Sequence, residues 1–116
     1  MTLQPGEIYF AEFEDLEDHR VIVVSREEFN RGKYVSVVMC TSKRFRERAN
    51  LPNCVVFHAG QFGFTRDCVA QAETVGFIEI SQLRLEDGPL SMLDDKTMYS
   101  MIRALGYVIA SDCQPE

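Results

Sequence analysis

The chain has 116 residues, 46% of them hydrophobic and 26% charged, with a formal net charge of −6. That length is one domain, able to bury roughly two-thirds of its unfolded surface. The composition excludes long-range disorder, and the net charge excludes indiscriminate attraction to nucleic acid.

The opening MTLQPGEIYF lacks the basic and apolar segments of a signal peptide. No apolar run approaches the roughly 18 residues of a membrane span. A cytoplasmic protein with no membrane attachment is therefore expected. After the Pro5-Gly6 turn, PGEIYFAEF alternates as a strand, with Ile8 and Phe10 facing one way and Tyr9, Ala11 and Phe13 the other. The acidic stretch Glu12–Asp18 reads as a solvated loop. Val21–Ser25 is an almost continuous apolar run, predicting a strand buried on both faces. Arg26–Lys33 contains Asn30-Arg31-Gly32, a turn, and Tyr34–Thr41 is a second buried strand. Lys43–Asn53 reads as a polar loop, Cys54–Phe57 as a short strand, and HAGQFG as a turn.

Thr65–Val75 reads as a strand. Alternation puts Val69, Gln71, Glu73 and Val75 on one face, with Cys68, Ala70, Ala72 and Thr74 on the other. A short helical turn is expected at Ile80–Leu85, then a break at Gly88-Pro89. In the last segment Met98, Met101, Ile102, Leu105, Val108 and Ile109 follow helical spacing, with Asp94 or Asp95 as the N-cap. The Met98/Met101 stripe is core packing. Five or six strands followed by a helix predict a mainly β (α+β) fold: a small barrel or curled antiparallel sheet with a C-terminal helix packed on it. One domain over residues 1–110 with a tail at 111–116 is expected.

Charge is unevenly spread. Residues 19–66 hold nine of the twelve Lys/Arg and three of the eighteen Asp/Glu. A chain with one phosphate-facing surface has such a distribution, provided the basic block stays together in space. The two central strands concentrate the chemistry. Antiparallel order sets the start of one strand beside the end of the next. Arg20 therefore falls near Thr41 and Ser42, a fork and two hydroxyls suited to phosphate oxygens. His19 adds a group that changes charge between about pH 5 and 8. Polar residues at strand ends are also common without any role. Lys43, Arg44, Arg46 and Arg48 interleave with Phe45, a pattern that can track a nucleic-acid backbone and stack a base, or simply solubilise a loop. Glu73, among small and apolar neighbours, is expected to be buried and to need a partner. His58, beside a turn, reads as structural. Cys40, Cys54, Cys68 and Cys113 lie far apart with no CxxC or Cys/His spacing, so free thiols and no metal are expected. No phosphate-binding loop, dinucleotide glycine pattern, nucleophile elbow or zinc signature is present, and no cofactor is expected.

Six segments in order resemble the PemK/MazF family of type II toxin–antitoxin toxins, which are sequence-specific endoribonucleases. They are PGEIYFAEF, VIVVS, VSVVMCTS, LPNCVVF, GFTRDCVAQAETV and GPLSMLDDKTMYSMIRALGYVI, spanning about residues 5–110. The resemblance implies a small SH3-like antiparallel barrel with a C-terminal helix, a homodimer, a cognate antitoxin partner and a single-stranded RNA substrate. It implies metal-independent cleavage by the 2′-OH, leaving a 2′,3′-cyclic phosphate and a 5′-OH. The family's strand-leading Arg and strand-ending Thr/Ser map to Arg20 and to Thr41 with Ser42. Where the family has Arg-Pro, this chain has His19-Arg20, so either residue can be the one that meets the phosphate. Gln71 stands where some members carry an Arg, and Glu73 matches the family's acidic position. Lys43, Arg44, Phe45, Arg46, Arg48, Gln71 and Glu73 are the expected RNA-binding set. These departures also leave open a non-catalytic module on the same fold that binds RNA, an antitoxin or another protein.

Overall fold

The computed structural model describes residues 2–14 and 17–109. Part of the acidic stretch (Asp15, Leu16), Cys113 and the tail 111–116 lie outside the described residues. Six strands form one antiparallel sheet: β1 Glu7–Ala11, β2 His19–Val23, β3 Tyr34–Thr41, β4 Cys54–Phe57, β5 Cys68–Glu79 and β6 Ser91–Met92. Their spatial order is β4-β5-β3-β2-β1-β6. The four-residue helix α1 (Phe45–Arg48) follows β3, and α2 (Asp95–Val108) ends the fold. The expected antiparallel sheet with a C-terminal helix is therefore what forms, as a curled half-barrel with β4 and β6 at its edges.

The apolar runs of β2 and β3 are continuous because both faces of the sheet are covered there. On one face Ile8, Ile22, Val38, Phe57, Ala70 and Ala72 pack against Met101 and Ala104 of α2. On the other, Tyr9, Val21, Val23, Val35 and Val37 pack with Leu3 and Leu83. The turn before β1 needs Gly6, which sits at φ +93° while its N–H donates to the Val23 carbonyl at 2.7 Å. Asn30, buried between β2 and β3, donates through Nδ2 to the Leu3 and Ser25 carbonyls at 3.0 and 2.9 Å, tying that loop to the N-terminal segment.

The curl has a local cause. Between Val37↔Gly76 and Met39↔Gln71, β3 advances two residues while β5 advances five. The surplus bulges outward, which bends a strand and raises its twist. Thr74 patches the gap: its hydroxyl accepts from the Met39 N–H at 2.9 Å and donates to the Gln71 carbonyl at 2.7 Å. Cys68, Ala70 and Ala72 keep to the helix side as the alternation predicts, but the pattern does not extend through Thr74.

Three sequence expectations change. The polar loop after β3 contains α1, and a two-residue edge strand, β6, follows the Gly88-Pro89 break. In α2, Met101 and Ala104 are buried and Met98, Leu105 and Val108 are partly so, whereas Ile102 and Ile109 are exposed at 54% and 65%. Asp94 caps α2 by accepting from the Thr97 N–H at 2.7 Å, and that bond holds its carboxyl below the usual range. The cap contribution is therefore present above the ordinary carboxylate pKa and lost as pH falls through the depressed one.

Met101→Ala, which empties space at the helix–sheet contact, should cost about 2–5 kcal/mol in denaturant unfolding with an unchanged m-value. The stability gap between wild type and Asp94→Ala should shrink as pH drops from neutrality into the acid range.

Candidate functional site

The β2–β3 pairing dictates the site. Its register, Val21↔Met39 through Val23↔Val37, extends to set Arg20 beside Cys40 and His19 beside Thr41. Adjacent residues of a strand point to opposite faces. Arg20, paired with Phe10 of β1, shares the helix-side face with Ile22, while His19, paired with Ala11, shares the other with Val21. A cleft of about 310 Å³ wraps around this end of the sheet, and both residues line it.

Arg20 is held from three sides. Its guanidinium carbon lies 4.6 Å from the Phe10 ring centroid and 5.6 Å from that of Phe64. Its Nη2 donates to the Gly63 carbonyl at 3.3 Å. Phe64 is in turn stacked on core Phe57 at 4.7 Å, so the rigid interior fixes the aromatic wall. The carbonyl comes from a tight loop in which Phe62 and Gly63 take left-handed φ values of 47° and 77°. Arg20 Nε is buried with no hydrogen-bond partner among the described residues. An orphaned guanidinium donor beside a cleft calls for an explanation.

His19 Nδ1 lies 3.1 Å from the Cys40 carbonyl, and Phe13 meets its ring edge-on at 6.3 Å. Thr41 is half-buried, and its hydroxyl accepts from the Lys43 N–H at 3.1 Å; Ser42 and Lys43 are exposed on the rim. Lys43, Arg20 and Arg66 line the cleft together with Glu17 and Asp18. Arg84 holds Asp18 and also donates to Glu12 at 2.7 Å, which engages part of the acidic side in a surface ion cluster. Cys40 and Cys68 lie at the cleft floor. Burial pushes the Cys40 thiol well above its usual range and Cys68 up to about 11, with Arg20 pulling both the other way. Both stay protonated at neutral pH and add no charge to the floor.

The structure thus brings His19, Arg20, Thr41, Ser42 and Lys43 together. It does not bring Arg44, Phe45, Arg46 or Arg48 into the lining. These four lie along α1 and its N-cap, where Arg48 donates to the Lys43 carbonyl at 3.1 Å and Phe45 meets His58 edge-on at 6.1 Å. Glu73 is not buried. It is exposed beside the bulge, accepting from Asn53 at 2.8 Å and from Gln71 at 3.2 Å. Phe10, Phe64 and Arg66 are cleft residues that the sequence reading did not single out. Phe10 reaches the cleft by pairing with Arg20 across β1 and β2, and Phe64 and Arg66 reach it because Val69 pairs with Thr41, so the segment just before β5 passes the same end of the sheet. Among the described residues no group of three or more His, Cys, Asp or Glu side chains could hold a metal ion, and no helix is long and apolar enough to cross a membrane.

The half-barrel is shared with solved toxins. An endoribonuclease in complex with its cognate antitoxin from a mycobacterial species superposes with a TM-score of 0.76 at 17% identity, covering 97% of this chain and 99% of that one. Mycobacterium tuberculosis toxin MazF-mt6 gives 0.73 at 17% identity over 94% of this chain and 99% of that one. MazE–MazF from Deinococcus radiodurans gives 0.74 at 15% identity over 95% and 97%. No curated protein matches the chain. At such identities the likeness shows the fold alone, but a family model spans residues 4–109, nearly the whole sequence. The chain belongs to the PemK-like, MazF-like toxins of type II toxin–antitoxin systems.

Proposed function

We propose that this toxin is a metal-independent endoribonuclease that cuts single-stranded RNA, and that the cleft at the β2–β3 end is where it does so. The observation that carries the reading is Arg20: a guanidinium clamped by Phe10, Phe64 and the Gly63 carbonyl, with Nε left unpaired. In the proposed reaction the 2′-oxygen bonds to the adjacent phosphorus and the bond to the 5′-oxygen breaks. The products are a 2′,3′-cyclic phosphate and a 5′-OH. Negative charge builds on the non-bridging phosphate oxygens as five bonds form at phosphorus. A preorganised cation in a partly dry cleft stabilises that charge, worth roughly 3–4 kcal/mol for one well-placed donor. Thr41 and Ser42 supply hydroxyls that hold the phosphate in register with Arg20, and Lys43 and Arg66 on the rim attract the chain. The basic set on α1 contacts RNA outside the cleft. A family of endoribonuclease neighbours supports the chemistry, and an antitoxin-bound neighbour supports an antitoxin partner.

The same reading takes the toxin as a homodimer. The exposed row of Tyr99 and Ile102 on α2 and Ile109 at its C-cap is apolar surface of the kind a second chain covers. Sedimentation at micromolar concentration should give about twice the 13.3 kDa chain mass; the chain mass alone would refute the dimer.

Long RNA incubated with the protein and EDTA should be cut to fragments bearing cyclic phosphate and 5′-OH ends. RNA that stays intact across many sequences, with growth arrest on expression, would instead identify a toxin that acts by binding. Arg20→Ala should lower cleavage about 10²-fold or more, by analogy with loss of an oxyanion donor, while leaving the circular dichroism spectrum unchanged.

A further inference from the structure

We infer that His19 is the group that takes the 2′-OH proton in this cleft, a division of labour with Arg20 that rests on the nuclease reading above. His19 Nδ1 lies 3.1 Å from the Cys40 carbonyl. A carbonyl oxygen can only accept, so Nδ1 carries the proton. The neutral imidazole is then locked in one tautomer, with its lone pair on Nε2. Among the described residues nothing bonds to Nε2, and it is not shut away from solvent, since the one buried side-chain nitrogen or oxygen lacking a partner is Arg20 Nε. The backbone carbonyl does here what an orienting carboxylate does elsewhere: it fixes the ring's rotation and its basic nitrogen.

The other groups in the cleft are poorly suited. Arg20 cannot give up its proton at any working pH. Burial keeps the Cys40 and Cys68 thiols protonated. The Asp18 carboxylate is held by Arg84. Lys43 and Arg66 are exposed cations. Among the described residues Glu17, exposed on the rim, is the one rival carboxylate. The charged groups that line the cleft with the imidazole are thus Glu17 and Asp18 from the segment before β2, Arg20 next to it in β2, Lys43 after β3 and Arg66 before β5.

Geometry assigns the two neighbours complementary duties. In-line attack needs the base on the side of phosphorus opposite the leaving oxygen, and the charge stabiliser around the equator. Successive residues of one strand point to opposite faces, so His19 and Arg20 approach a phosphate at the strand end from different directions. His19 also shares its face with Thr41, which the extended register sets opposite it. The balance is complete: the 2′-OH proton passes to His19 Nε2, the O2′–P bond forms, the P–O5′ bond breaks, and the departing 5′-oxygen takes its proton from water. His19-Arg20 thereby does with two side chains what a single strand-leading Arg cannot, because an Arg carries charge but does not accept a proton.

The test compares pH–rate profiles of wild type, His19→Gln and Glu17→Gln on one cleavable RNA oligonucleotide. The base must be neutral to act, so wild-type kcat/KM should rise with pH along an acid limb. His19→Gln should lose that limb and lower kcat about 10²-fold or more with KM little changed. Imidazole added to the buffer should restore part of the cleavage by His19→Ala, which a purely structural residue would not allow. A wild-type profile in His19→Gln, or loss of the limb in Glu17→Gln instead, would overturn the assignment while leaving the nuclease reading intact. No cleavage by wild type would sink both. Independently of activity, nitrogen-15 NMR of the resting protein should show His19 protonated on Nδ1; a neutral ring protonated on Nε2 would overturn the proposal.

Discussion

The structure depends on one constraint: β2 and β3 are covered on both faces. Burial specifies a strand's register, because a one-residue slip turns every side chain to the other face. Val21, Ile22 and Val23 are each fully buried; across the ladder Val38 and Val37 are buried and Met39 is partly so. A one-residue shift would exchange the residues facing α2 for those facing Leu3 and Leu83. The register is therefore pinned, and with it the positions of the polar residues at the strand ends. His19 and Arg20 on β2, and Thr41 after β3, are set in space by apolar packing several residues away.

The same packing gives Arg20 its character. A guanidinium at a strand end would ordinarily swing in water and lose conformational entropy when it met a ligand. Here the stack Phe57–Phe64 carries core rigidity outward to one side of it, and Phe10 closes the other. Phe10 also sits 5.3 Å from the Arg84 guanidinium, so one ring joins the cleft to the ion cluster that restrains Asp18. The site is thus anchored on the core through β1, β2, β3 and the start of β5, while Glu17, Asp18, Ser42, Lys43 and Arg66 reach it from the connecting segments.

Much of this was legible in the residues. The β-branched runs predicted β2 and β3, and antiparallel order predicted that Arg20 and Thr41 share an end. The core-facing Met101 followed from helical spacing, and of the two carboxylates expected at the helix start, Asp94 or Asp95, Asp94 is the cap. What escaped has physical causes. Glu73 reads as buried only if strand alternation continues, and the bulge patched by Thr74 breaks it. Ile102 and Ile109 fit the helical stripe but turn from the sheet. Four-residue α1 and two-residue β6 are too short to show a period. Phe64 and Arg66 reach the cleft through a left-handed turn distant in sequence from β2. Which of His19 and Arg20 faces which way also lay beyond the local pattern, because it is settled by pairing with Phe10 and Ala11 of β1.

The central claim is that these two adjacent residues address one phosphate from two sides. A crystal structure with single-stranded RNA bearing a 2′-deoxy sugar at the cleavage point tests it directly, since that RNA binds without being cut. The account predicts the scissile phosphate within hydrogen-bond reach of the Arg20 guanidinium and Thr41, with the 2′-carbon turned toward His19 Nε2. A phosphate bound away from Arg20, or a 2′-carbon facing Glu17 with His19 turned away, would contradict it.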